Sequence, residues 1–127
     1  MKITLTLFLA AFTISTYAQK EIKLEELKEH IGDSVKVQGI ISGVSFLENS
    51  KNTPTFISVG ASYPSQLLTV VIWGDVRSKL VIAPSTKDAG NKIIVSGKVE
   101  IYKDKPQIVI KDIKQLEIVQ DAQGEQQ

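Results

Sequence analysis

Two stretches of this chain alternate apolar and polar side chains while carrying glycine inside the run. Val35-Lys36-Val37-Gln38-Gly39 opens one, which continues to Phe46 through a second glycine, Gly43. Lys92 to Tyr102 is the other, with Gly97 at its centre. Alternation at period two turns one face of a strand inward and the other to solvent. Glycine weakens such a strand unless the backbone must bulge, bend or approach a neighbour closely there. Long strands with bends built in suit a small sheet that curls on itself.

The other segments fit the same picture. Phe56 to Val59 is a short strand. Leu67 to Trp73 is a third, apolar on both faces, so periodicity does not decide which face is inward. Pro106 to Ile110 is a fifth, and Leu116 to Val119 a short extension. Between them, Glu48 to Pro54 is a loop by composition, Gly60 to Ser65 a turn, and Lys103-Asp104-Lys105 a tight hairpin turn. Gly74 to Gly90 is irregular, with a helical turn around Asp75 to Leu80. Before the strands, Leu24, Leu27 and Ile31 have helical spacing, and Gly32 closes that helix over Lys23–Ile31.

The order predicts an all-β fold: a five-stranded Greek-key barrel with an N-terminal helix. A barrel removes the free edges that five open strands would leave. An SH3-like barrel is the alternative; the long segment between strands three and four favours the former. The alternation assigns Ile57, Val70, Ile72, Val95, Val99, Ile101 and Ile108 to one core.

The first stretch reads differently. Met1-Lys2 is a short basic start, Ile3 to Ile14 is apolar apart from small threonines, and Ser15-Thr16-Tyr17-Ala18 supplies small residues before Gln19. That is the layout of a secretory signal peptide. A buried strand or membrane anchor is the alternative, but a dozen apolar residues fall short of the roughly twenty that span a bilayer. The expected organisation is a leader over 1–18, one domain over 19–120 and a polar, disordered tail over 121–127. The expected location is outside the cytoplasm, in the periplasm or the medium, with no membrane span after cleavage.

Composition excludes several chemistries. Charged residues are 23% and hydrophobic residues 43%, which is globular composition and not that of a disordered chain. Cysteine is absent, so disulfides, thiolate metal sites and a cysteine nucleophile are excluded. His30 is the one histidine, which leaves no histidine metal cluster and no Ser-His-Asp grouping to assemble. It reads as a capping or packing residue. Asp33, Asp75, Asp88 and Asp104 fall in separate loops without cation-binding spacing, and Gly60, Gly74 and Gly90 are isolated turn glycines. No enzyme, metal or cofactor is expected.

Charge gives a weaker signal. Once Lys2 is removed with the leader, 14 basic residues face 14 acidic ones. A dedicated nucleic-acid binder usually carries a basic excess. Locally, eight lysines and four acids lie between Lys79 and Lys114, against four lysines and six acids between Lys20 and Glu48. A solvated surface of mixed charge explains this better than a phosphate track does.

Several strings resemble a known group. They are His30-Ile31-Gly32-Asp33-Ser34-Val35-Lys36-Val37-Gln38-Gly39, Val59-Gly60-Ala61-Ser62-Tyr63-Pro64-Ser65-Gln66, Leu68-Thr69-Val70-Val71-Ile72-Trp73, and Gly97 to Ile108. They look like the OB-fold, nucleic-acid-binding-like domains of secreted bacterial proteins, which occur alone or beside nuclease domains. The resemblance covers roughly Lys23 to Ile118. It implies an OB-fold barrel whose ligand lies across strands two and three, between the first hairpin loop and the loop joining strands four and five. It does not imply an activity, because OB folds bind DNA, RNA, oligosaccharide or protein.

On that face the expected ligand-binding residues are Lys51, Phe56, Trp73, Lys98, Tyr102, Lys103 and Lys105. Phe56 and Trp73 would supply stacking surfaces, and Tyr102 with the lysines a base-and-phosphate contact set. Alternatives stand beside each: Trp73 packing under the irregular segment, the Lys98–Tyr102 row as a strand made soluble by charge, Tyr63 as a turn-packing residue. Glu100, within that row, counts against phosphate. Two functions follow: an exported module binding single-stranded nucleic acid or a similar polyanion, weakly and without sequence preference, or an envelope interaction domain binding protein or glycan through the same groove. The oligomeric state is not legible.

Overall fold

The computed structural model describes residues 19–120; the leader read over 1–18 and the tail read over 121–127 lie outside them. Eight strands follow in order: β1 Lys20–Glu21, β2 Ser34–Phe46, β3 Thr55–Val59, β4 Leu68–Ile72, β5 Lys92–Lys98, β6 Glu100–Tyr102, β7 Lys105–Ile110 and β8 Leu116–Val119. They form one sheet in the order β6-β7-β4-β3-β2-β5-β8, with β1 added in parallel to β2. Most neighbours are antiparallel; β4 and β7 run parallel.

The expectation of five strands in a closed barrel needs correction. The predicted fourth strand is divided into β5 and β6, β1 is additional, the expected extension over Leu116–Val119 is a strand of its own, β8, and the ladder is open. The division has a physical cause at Val99. Its N–H donates to the Asp33 carbonyl at 2.9 Å and its carbonyl accepts from Gly32 N–H at 2.8 Å, so it stays bound to the chain entering β2. The next residue, Glu100, is already paired with Gln107 of β7. One run of chain therefore changes partner at a single residue. The two arms of the sheet meet through this covalent corner and not through a closed ladder.

The core follows the predicted alternation up to that corner. Ile57, Val70, Ile72, Val95, Val99 and Ile108 are each 1% exposed or less, and Val35, Val37, Leu68, Ile93 and Ile110 join them. Ile101 does not: it is 44% exposed. It lies on β6, the last strand of the path, which has a neighbour on one side only.

The helix expected over Lys23–Ile31 is a 3₁₀ segment, Leu24–His30. At three residues per turn, Leu24 and Leu27 fall on one line, and Leu27 is fully buried while Ile31 drops out and is 44% exposed. Gly32 follows with φ +89°, the left-handed conformation that ends such segments. The segment is seated on β2 at Gly39. A Cβ there would lie 2.6 Å from Leu24 and 2.7 Å from Val59, so any larger residue would force those side chains to move. The bend in β2 is a bulge between Ile41 and Gly43. Across the sheet, a four-residue helix α1, Gly74–Arg77, places buried Val76 in the core.

Candidate functional site

The outer face of β3, β4 and β7 can be read from the strand register. One row crosses Ser45, Phe56, Val71 and Val109. Another crosses Ser58, Thr69, Gln107 and Glu100. Val71 is 3% exposed although it points away from the core, because Phe56 and Val109 flank it. At Val71 the strand is therefore apolar and covered on both faces, which removes the alternation there. The second row is polar, and the buried Gln66 reaches back from the β3–β4 loop to donate to Thr69 Oγ1 at 3.0 Å. Glu100, on β6, is the last residue of this row.

The expected site residues divide between the two ends of this face. At the end where β7 begins, Tyr102 pairs across the hairpin with Lys105, and the Lys103 ammonium lies 5.4 Å from the Tyr102 ring centre. Lys103 and Asp104 form the turn with positive φ, 49° and 65°. Tyr63, in the β3–β4 loop at the same end, is 79% exposed and does not pack the turn. Phe56 stands half-buried in the middle of the face. At the other end, Lys51 is exposed in the β2–β3 loop and Trp73 follows β4, 39% exposed. Lys98 is not brought to this face. It pairs with Ser34 on the β2–β5 ladder, before the Val99 corner.

Trp73 lies two residues beyond Val71, the partner of Phe56, where the chain leaves β4 for α1. It walls a surface pocket of about 480 Å³ with Asn52, Thr53, Gly74 and Asp75. The β2–β3 loop folds back to make it: Gly74 N–H donates to the Asn52 carbonyl at 2.9 Å, with Asn52 and Thr53 at φ 64° and 41°. Gly74 has no room for a side chain, since Thr53 Oγ1 occupies the place of a Cβ. Asp75 Oδ1 accepts from Val76 N–H at 2.9 Å.

Arg77, absent from the expected site residues, is a structural tie. Its Nη1 donates to Thr55 Oγ1 at 2.7 Å and to the Pro84 carbonyl at 3.0 Å, and its guanidinium lies 3.8 Å above the Phe46 ring. It is committed to holding α1, β2 and β3 together. His30 Nδ1 lies 3.2 Å from Asp33 Oδ2 beside the start of β2. Among the described residues, no three His, Cys, Asp or Glu side chains are grouped to hold a metal, and no helix is long and apolar enough to cross a membrane.

Solved structures share this architecture. One containing yeast Stn1 and Ten1 superimposes with a TM-score of 0.59 at 10% identity, covering 87% of this chain and 68% of that one. The fold is an OB fold. A putative aspartyl-tRNA synthetase from Leishmania major matches at TM-score 0.54 and 13% identity over 87% of this chain, which spans only 23% of the synthetase. The OBody AM1L10 bound to hen egg-white lysozyme matches at 0.51 and 15% identity, over 84% of this chain and 100% of that one. No protein-family model matches the sequence, and no curated protein matches it. In OB terms, β2 to β4 are the first three strands, β5 with β6 the fourth, and β7 the fifth. The face described above is the one such folds use for ligands.

Proposed function

We propose that this chain is an exported, non-catalytic OB module that binds single-stranded nucleic acid weakly and with little dependence on sequence. The observation that carries the reading is the outer face itself. An apolar row of Phe56, Val71 and Val109 runs between an aromatic–cation group at one end, Tyr102 with Lys103 and Lys105, and Trp73 with Lys51 at the other. Aromatic faces accept any base, and lysines at both ends suit a backbone laid across the strands. Three lysines neutralise about three phosphates, which gives a salt slope near −2 at about 0.7 per single-strand contact. Without Lys2 of the leader the chain has no net charge and gains little steering, so affinity is micromolar or weaker.

The test is a titration of fluorescein-labelled oligo(dT) at low and moderate salt. Binding that weakens with salt along that shallow slope supports the reading; no binding at low salt overturns it. Export is supported by the leader-like sequence before Gln19. Protein from its own host should begin at Gln19 by N-terminal mass analysis, and an intact Met1 would refute export.

The second reading, an envelope interaction domain for protein or glycan, is favoured by one feature. Val81 and Ile82, in the segment after α1, are 100% and 80% exposed, and nucleic-acid binding does not use them. Loss of partner capture on Val81→Ser with Ile82→Ser, with oligonucleotides inert, would favour it.

A further inference from the structure

The Trp73 pocket differs in chemistry from the rest of the face. Its wall is an indole, its polar lining is Asn52, Thr53 and Asp75, and it contains no cation. Asp75 uses Oδ1 to hold Val76 N–H; Oδ2 has no hydrogen-bond partner among the described residues. A carboxylate beside the opening repels phosphate, while the indole favours a flat ring. The ring that fits must offer hydrogen-bond donors, because a carboxylate only accepts. Two further hollows of similar size have no indole or phenyl wall.

Among nucleobases, donors are unevenly distributed. Guanine presents N1–H and the N2 amino group side by side on its Watson–Crick edge, matched to the two oxygens of one carboxylate. Thymine and uracil offer one N–H between two carbonyls, which a carboxylate repels. Cytosine and adenine offer an amino group beside an unprotonated ring nitrogen. We propose that the Trp73 pocket is a guanine-selective subsite, with the base stacked on Trp73 and its N1–H and N2–H donated to Asp75. This rests on the nucleic-acid reading of the face and adds one selective position to an otherwise tolerant footprint. The Gly74 N–H to Asn52 carbonyl bond holds the loop against the pocket, and Val76 N–H holds one carboxylate oxygen.

The sequence contains one tryptophan, so intrinsic fluorescence reports this pocket directly. The probes are oligo(dT) carrying one central dG, one central dI, or dT throughout. Inosine keeps N1–H and loses the N2 amino group, so it isolates the second donor. The dG oligomer should quench Trp73 and bind at least about fivefold more tightly than the dI oligomer, the low end for a bidentate base contact. Asp75→Asn keeps the oxygen that holds Val76 N–H, so the fold is retained, and it should bring dG and dI within about twofold. Equal binding of dG and dI oligomers by the native protein, or oligonucleotide anisotropy without Trp73 quenching, overturns the subsite and leaves the nucleic-acid reading intact. No binding of any oligonucleotide overturns both. Quenching by chitotetraose, with all three oligonucleotides inert, assigns the pocket to a sugar and also overturns both.

Discussion

The two ends of the outer face are built from the same kinds of residue to different effect. At the Tyr102 end the aromatic ring is paired with cations, Lys103 above it and Lys105 across the hairpin. At the Trp73 end the ring is paired with a carboxylate, Asp75, and the lysine lies out in the loop at Lys51. The first arrangement suits a phosphate beside a stacked ring; the second suits a ring and discourages the phosphate. Binding strength and salt dependence should therefore separate along the face, one end contributing most of the stacking and the other most of the ionic contact.

The largest perturbation removes what both ends rest on. Ile108, fully buried at the centre of β7, should cost about 2–5 kcal/mol of stability when changed to alanine, read by chemical denaturation. Ile101→Ala should cost about 1 kcal/mol or less in the same experiment, because that side chain is on an edge and half open to water. Equal costs would mean that the Val99 corner does not divide the strand.

Next in size is Trp73→Ala. It should weaken oligonucleotide binding by about 1–3 kcal/mol, the range for one stacked base, while the salt slope stays unchanged. A changed slope would show that the two ends do not act separately.

The smallest effect is expected at the other end. Changing Lys103 and Lys105 together to alanine should flatten the salt slope by about one to one and a half units, from about 0.7 per contact. Little affinity should be lost at moderate salt, where these contacts are already screened. Binding measured over a salt series checks it, and an unaltered slope would move the phosphate contacts elsewhere.

Much of the fold was legible in the sequence because alternation reports burial wherever a strand keeps one pair of neighbours. Val35, Val37, Ile57, Val95 and Ile108 are such cases. It failed at Ile101, where the strand changes partner, since hydrogen-bond partners leave no trace in a run of residue types. It failed in a second way at Val71, where an outward residue is buried by its own row. The 3₁₀ winding of Leu24–His30 was hidden because Leu24 and Leu27 satisfy either helical period. The site was partly legible. Tyr102, Lys103 and Lys105 are close in sequence and remain close in space. The Trp73 pocket was not, because Asn52 and Thr53 reach it through a loop that folds back on Gly74. Lys98 was misplaced by the same corner that misplaced Ile101.

The path of an open sheet ends on two strands, and here both are short. β6 has three residues and β8 four. Exposed strand margins are templates on which a second chain can add itself, and their danger grows with length and flatness. Three or four residues offer few backbone groups to a newcomer, and β6 runs directly into a turn of two lysines around an aspartate. Strand addition at β6 or β8 thus gains few hydrogen bonds, and concentrated solutions of this protein should resist fibril formation by that route.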